Sequence, residues 1–584
     1  MLNRLKTEIS LGQVLAAAVL LGSAVLAWDI LSLVRHKAFA LDEFLYVHRA
    51  WKFLDNGLLA EIASGRQFIS SLLNTPFVLL GDDNPANMIY VRLATLLWFA
   101  LTIIALVALT QRISQHNRYW VAGATVLLIF LSRHFVWYET EVRPDGIAFL
   151  LVLGSVLAVQ SGRLTNRTAA AIGGFLLVAA CFTSIKAIVY GAVFAPVFLH
   201  DLWAARRNRK AILRAPWVFS ASFAAGVAAV LAISLARGQL GTIWAGFAQL
   251  VAHERFYPGF TSIRFFKPVL LASWPLFALA VFGFGLTVVE LLRKFRNETA
   301  ADWRWLLVLL GASTWVSFFA QKAAYAYSML PGLGIAIVFA CRGVFAVAER
   351  WDTAHRRETG IFLAVCVITL ATYHAHLRYE PKNRNDRQIE LQQMIGEMVD
   401  PGETVYDMSS TSVYRPGAHR FDFVDNARKM QFEDQLTDEI PKAIVEREAM
   451  VFVYDLRFHL WWRRRPLGLW ILEHFQKVKN DIYVWGRSWD RNDTTWTDQF
   501  QALKSGSYFV HPANVMDSGT LKISGEVVED RAIQLSKGYH NVEWVPATSA
   551  VPPKIYLMWV PRNGMRFDPD GIFPGYSLGR HVLP

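Results

Sequence analysis

The chain has 584 residues, of which 54% are hydrophobic and only 18% charged, against roughly 25% charged in soluble domains. That balance excludes a wholly soluble protein. The net charge of +12 invites a nucleic-acid reading, but the basic residues cluster in short loops between apolar runs, which is the pattern of a polytopic membrane protein.

An apolar helix of roughly 20 residues crosses the hydrocarbon of a bilayer, and about eleven runs qualify. They lie near 11–34, 88–110, 119–133, 145–160, 168–184, 186–200, 216–236, 269–292, 304–320, 324–341 and 359–376. The first run is too long for a signal peptide and no small-residue cleavage site follows it, so it reads as a retained anchor. With the N-terminus in the cytoplasm, the inner loops hold about 19 Lys and Arg in roughly 70 residues, the outer loops about 13 in roughly 105. This positive-inside bias orients the bundle, and an odd number of spans leaves everything after residue 376 outside the cytoplasm. Cys181, Cys341 and Cys366 all sit in apolar runs, so the outer region has no disulfide framework or zinc-type spacing.

Residues 377–500 alternate strand-like and helix-like stretches: "ETVYDMSS" and "AMVFVYDL" flank an amphipathic stretch at 426–447. Residues 501–584 are strand-rich, with "GSYFVHPANV", "GTLKISGEVV", "GYHNVEWVP" and "KIYLMWVP" separated by turn residues, and suit a small β-sandwich. The expected fold is thus a polytopic α-helical membrane domain over 1–376, then an extracytoplasmic α/β region and a β-rich region.

Polar groups gather in the outer loops. "LDEFLYVHRAWKFL" has Phe44, Val47, Trp51 and Leu54 on one helical face, which suits a helix lying in the membrane interface. Asp42 and Glu43 stand at its N-terminus, where the helix dipole favours anions, and Tyr46 follows one turn on. One carboxylate would suffice as a cap; two call for more. "YETEVRPDG" sets Glu139, Glu141, Arg143 and Asp145 at the start of the next apolar helix. Lys186 interrupts the run "CFTSIKAIVYGA", and Lys322 approaches Tyr325 and Tyr327 in "QKAAYAYSMLPG". The loop "AHERFYPGFTSIRFFKP" adds His253, Glu254, Arg264 and Lys267. Charged groups at membrane depth usually face a wet cavity or a partner, and five such sites on one side imply a shared polar cavity. A carboxylate there can take a proton from a hydroxyl, and cations can hold a phosphate leaving group.

The order and sidedness of these motifs resemble the C-superfamily integral-membrane glycosyltransferases, in particular the lipid A aminoarabinose transferases and protein O-mannosyltransferases. The matching segments are "LDEFLYVHRAW", "QFISSLLNTPFVLLGDDNPANMIYVRLATLL" with its Arg92–Leu93 pair, "YETEVRPDG", "TSIKAIVYGAVFAP" and "KAAYAYSMLPGLGIAIV", covering residues 10–376. The resemblance implies transfer of a sugar from a polyprenyl-phosphate donor to a glycan, lipid or protein acceptor outside the cytoplasm, usually with inversion, in a bacterial inner membrane. It implies Asp42 as base or acceptor-positioning carboxylate, Glu43 as its support and Asp145 as a second acid. Arg143 and Lys186 would face the donor phosphate, with Arg66 where the aminoarabinose transferases carry a lysine, and Lys322 nearby. Tyr46, Glu141, His253, Arg264 and Tyr325 would line the cavity. No cofactor is required; a divalent metal between Glu43 and His253 is conceivable, but no ligand spacing supports it. The competing readings are a polymerising or whole-glycan transferase of the same fold, and a lipid or glycan transporter. A transporter should carry charge near the bilayer midplane, whereas here it crowds one face.

Overall fold

A computed structural model describes residues 24, 26–57, 68–81, 87–114, 118–160, 167–200, 214–241, 261–295, 302–321, 324–349, 385–419, 433–455, 457–479, 481–490, 495–512, 514–547 and 554–562. Four of the described helices are long and apolar enough to cross a membrane, at Met88–Ser114, Pro216–Ala236, Trp274–Lys294 and Ala326–Val347. A fifth span results if Tyr119–Leu131 and Arg133–Glu139, bent by 81°, count as one. Shorter apolar helices at Pro144–Gln160, Arg167–Thr183, Ala187–His200 and Arg304–Ala320 fall at other expected spans, and one at Phe68–Val78 falls where no span was expected. The candidate at 359–376, and most of that at 11–34, lie outside the described residues.

In chain order the helices of this part are α1 (Leu41–Asn56), α2 (Phe68–Val78), α3 (Asn87–Ser114), α4 (Arg118–Leu131), α5 (Arg133–Glu139), α6 (Pro144–Gln160), α7 (Arg167–Thr183) and α8 (Ala187–Gly191). Then come α9 (Arg214–Ala236), α10 (Ser262–Ala272), α11 (Trp274–Phe295), α12 (Arg304–Ala320) and α13 (Leu330–Glu349). The break between α4 and α5 falls at Ser132, whose backbone leaves the helical region at φ −79°, ψ 80°. Pro144 opens α6, where its missing N–H costs no helical bond. α11 and α13 cross through small residues: a Cβ on Gly283 would collide with the Phe339 carbonyl, and one on Gly343 with that of Leu279. Close backbone approach of this kind is how helices associate where lipid supplies no hydrophobic drive.

The C-terminal region, outer by expectation, holds α14 (Asp386–Met398), α15 (Glu433–Glu446), α16 (Pro466–His474), the short α17 (Val515–Ser518) and eleven strands among the described residues. β1 (Val405–Asp407) and β2 (Val451–Val453) are parallel, as an α/β unit requires, with α15 between them in sequence. β3 (Phe475–Lys479) and β4 (Ile482–Asp490) form a hairpin beside β2. β5 (Trp496–Ala502), β7 (Gly519–Ile523), β8 (Glu526–Val527) and β10 (Gly538–Pro546) make a four-stranded sheet in the order β5-β10-β7-β8. β6 (Gly506–His511), β9 (Ala532–Leu535) and β11 (Lys554–Trp559) extend the first sheet, with β11 between β4 and β6. β5 runs across residue 500, and β11 joins strands from either side of that point, so residues 377–500 and 501–584 share one sheet.

The interface helix α1 is placed differently from the expectation. Phe44 and Val47 are fully buried, and with Tyr46 and Ala50 they join one apolar core with Leu391, Met394, Val413, Tyr414 and Phe452 of the outer region. Trp51 is half-buried, and Leu54 is exposed. Periodicity shows that a face is apolar, not whether lipid or protein covers it. Each fully buried Phe or Val contributes roughly 1.5–3 kcal/mol. Polar ties fix the join. His48 Nδ1 donates to the Val413 carbonyl at 2.7 Å, and burial with nearby Lys52 pushes this imidazole down to about 3, so it stays neutral. Phe39 N–H donates to Gln388 Oε1 at 2.7 Å, and Gln388 Nε2 donates to the Phe39 carbonyl at 3.0 Å.

Candidate functional site

The adjacent acids of α1 have opposite environments. Glu43 is fully buried. Its Oε1 accepts from Arg92 Nε at 2.7 Å and from the Val142 backbone N–H at 3.0 Å. Its Oε2 accepts from the Ala40 N–H at 2.8 Å and from the second arm of Arg92. Arg92 in turn donates to the carbonyls of Lys37 and Ala38. Glu43 therefore pins three segments: the entry to α1, the outer end of α3 and the loop before α6. Its lone pairs are filled, which removes it as a proton acceptor and as a metal ligand beside His253. Among the described residues, no group of three or more His, Cys, Asp or Glu could hold a metal ion.

Asp42 points the other way and keeps 17% side-chain exposure. Its Oδ2 accepts from Arg143 NH1 at 2.9 Å, and its Oδ1 from Arg457 NH2 at 2.6 Å. Arg143 also donates from Nε to Glu141 Oε2 at 2.6 Å and lies 4.1 Å over the Tyr327 ring. Glu141 Oε1 meets Lys37 at 2.9 Å. Burial works against the Glu141 charge, but Lys37 and Arg143 outweigh it and hold this carboxyl well below the usual range, at about 2. Burial pushes the Tyr46 phenol upward, and Asp42 and Asp145 add to the shift, so Tyr46 remains a neutral hydroxyl beside the site.

The second acid, Asp145, also lies near Tyr327. Lys186, in the turn between α7 and α8, meets Asp145 at 3.0 Å and the Ser328 hydroxyl at 3.0 Å. Its ammonium lies 4.6 Å over the Tyr327 ring, and its side chain is 22% exposed. Tyr327 thus contacts two cations, each tied to a different acid, and Tyr325 stacks on it at 5.6 Å with planes 6° apart. Cation–π pairs of this kind contribute about 0.5–2 kcal/mol. Glu139 is buried next to Gly146, where a Cβ would come 2.7 Å from Glu139 Oε2.

The structure brings together Asp42, Glu43, Tyr46, Glu141, Arg143, Asp145, Lys186 and Tyr325. Arg264 is exposed on α10, with no carboxylate partner among the described residues. Arg66, His253 and Lys322 lie outside the described residues. Lys37 and Arg457 were not legible as members. Lys37 looks like one more basic residue after an apolar run, and Arg457 stands 415 positions from Asp42 in an arginine-rich segment with no spacing that points to it.

Helices that gather this cluster at one end, with a mixed-sheet region packed beside it, make a fold that is shared with solved structures. Among solved structures the chain is similar to ArnT from Cupriavidus metallidurans bound to undecaprenyl phosphate, at 11% identity and a TM-score of 0.52, over 80% of this chain and 98% of that one. The apo state of the same protein matches at 13% identity and a TM-score of 0.50, over 80% and 97%. No protein-family model matches the sequence, and a search of the curated proteins finds no match.

Proposed function

We propose that the chain is an inverting glycosyltransferase that moves a sugar from a polyprenyl-phosphate donor to a hydroxyl of an envelope glycan, lipid or protein on the outer side of a bacterial inner membrane. The observation that carries this reading is the joining of a partly open carboxylate, Asp42, and a partly open ammonium, Lys186, through Arg143 and Tyr327 at one end of the helix bundle. The fold match to a protein that binds undecaprenyl phosphate supports the choice of donor.

In this mechanism Lys186 holds the donor phosphate and offsets the charge that develops on it as the bond from the anomeric carbon to the phosphate oxygen breaks. The bonding pair leaves with the polyprenyl phosphate. The acceptor oxygen attacks the anomeric carbon from the opposite face, and its proton passes to Asp42. Arg143 orients Asp42, Asp145 orients Lys186, and Glu43 holds the frame. General-base assistance of this kind contributes typically about 10²–10⁴-fold. Polar groups crowded at one end of the bundle favour chemistry at a membrane surface over a transport path through the midplane. The test is consumption of a panel of radiolabelled polyprenyl-phosphate sugars by the detergent-purified protein, with a membrane extract as acceptor source. Consumption of one donor by the wild type and not by Asp42→Asn supports the reading; equal consumption by both removes Asp42 from it.

A further inference from the structure

Two guanidinium groups meet Asp42, one on each oxygen: Arg143 NH1 on Oδ2 at 2.9 Å and Arg457 NH2 on Oδ1 at 2.6 Å. Arg143 comes from the loop before α6 and is fixed there by Glu141 and Tyr327. Arg457 comes from the outer region and leads into the π-helical turn Phe458–Trp462, a winding that recurs at functional sites. That turn is held from both ends. Phe458 and Trp462 are fully buried, and the Phe458 ring packs on Phe452 of β2 at 4.8 Å and on Tyr454 at 5.0 Å. Asp455, itself buried, accepts the Phe458 N–H on Oδ1 at 2.8 Å, and its carbonyl accepts from the His459 N–H at 3.0 Å. Burial pushes the Asp455 carboxyl up to about 6 and nearby Asp407 adds to this, while the Phe458 N–H, Ser409 and Arg457 oppose it. A carboxyl oxygen accepts an N–H in either protonation state, so the cap holds across this range.

As a fastening alone, the Arg457–Asp42 pair would be nearly redundant. The join of the outer region to α1 is already made by buried Phe44 and Val47 and by the bonds of His48 and Gln388, and a partly exposed ion pair adds little to it. What the pair adds is orientation. Rotation of an aspartate carboxylate about its last bond is broad and roughly two-fold, so a single guanidinium contact leaves its plane loosely set. Contacts on both oxygens, from two different parts of the chain, fix it. Each oxygen keeps lone-pair capacity beyond its one guanidinium, and the side chain keeps 17% exposure, so the fixed carboxylate remains able to accept a hydroxyl proton. We infer that Arg457 is a positioning residue that the outer region supplies to the base, and that Asp455 sets Arg457 in place by capping the turn that follows it. This rests on the transferase reading and adds that the outer region completes the site: a misplaced base costs rate even where substrate binding is intact.

The test is a set of full-length variants assayed in detergent with the donor that the wild type consumes. Arg457→Gln should lower kcat about 10–100-fold and leave the KM for donor nearly unchanged. Arg457→Lys, which keeps the charge, should recover part of the loss. Asp455→Ala should lower kcat in the same way, and Asp455→Asn, whose amide oxygen still accepts the Phe458 N–H, should recover most of it. Because Asp455 acts through Arg457, the double variant of Asp455→Ala with Arg457→Gln should be no slower than Arg457→Gln alone. An unchanged kcat in Arg457→Gln, a loss confined to KM, or losses that add in the double variant would each overturn the inference. Arg457 is 23% exposed, so its variants should fold and decide the inference even if Asp455→Ala does not. A second arm needs no turnover: amide hydrogen exchange over residues 458–463 should be faster in Asp455→Ala than in the wild type and Asp455→Asn, and equal rates in all three remove Asp455 from the role. A wild type that consumes no donor counts against the transferase reading, and the exchange arm still decides whether Asp455 holds the turn that carries Arg457.

Discussion

The two ends of the helix bundle are both tied by ion pairs, and the ties differ in reach. At the end away from Asp42, Glu290 of α11 bridges Arg304 at 3.0 Å and Arg342 at 2.7 Å, and Arg304 also pairs with Asp302. These residues come from three helices that follow one another in sequence, and Glu290 is 36% exposed. At the other end, positions 37, 42, 141, 143 and 457 form one unbroken chain of alternating charges, and most of its members are buried. The inner cluster fastens neighbouring helices. The outer one assembles distant segments around a carboxylate and an ammonium that stay partly open, which a fastening would not require.

Substitutions can break that contrast, starting with the largest effect. Asp42→Asn should lower transfer by about 10²–10⁴-fold while the melting temperature in detergent stays near that of the wild type; loss of folding instead would make Asp42 a fastening too. Glu43→Gln should behave the opposite way. It leaves the Arg92 charge buried without its counter-ion and should cost about 3–5 kcal/mol of stability, read as a large drop in melting temperature and in yield.

Lys186→Met should sharpen the division of labour. Loss of a charge-assisted contact of about 1.5–3 kcal/mol should raise the KM for donor about 10–100-fold and leave that for acceptor nearly unchanged. A matching rise for acceptor would place Lys186 elsewhere in the mechanism.

Acidity gives a further probe. The Glu141 carboxyl is held at about 2 in the folded protein against an ordinary 4.5. Its contribution to stability is therefore complete above pH 4.5 and lost as pH falls towards 2. Thermal melts between these values should show a downward slope in the wild type that is smaller in Glu141→Gln. The smallest effect belongs to the inner end, where Glu290→Gln should cost about 0.2–1 kcal/mol and leave donor consumption unchanged.

Much of this was legible in the sequence. Apolar length, loop charge and the alternating strand patterns near 405, 451, 506, 519, 538 and 554 follow from local chemistry: the cost of backbone in lipid and the two periodicities of helix and strand. The same local chemistry marked Asp42, Arg143, Asp145 and Lys186 as groups that need partners, because a charge at membrane depth is costly alone. The sequence could not assign the partners. Asp42 and Glu43 are neighbours with the same functional group, and only the turn of α1 sends one into a filled knot with Arg92 and the other towards open space. The apolar face of α1 is covered by the outer region and not by lipid, and Arg457 reaches Asp42 from 415 positions away. Spacing along a chain carries no information about pairings of that range. They are decided by how the outer region packs on the bundle, where shared burial of Phe44, Val47 and their partners sets which charges meet.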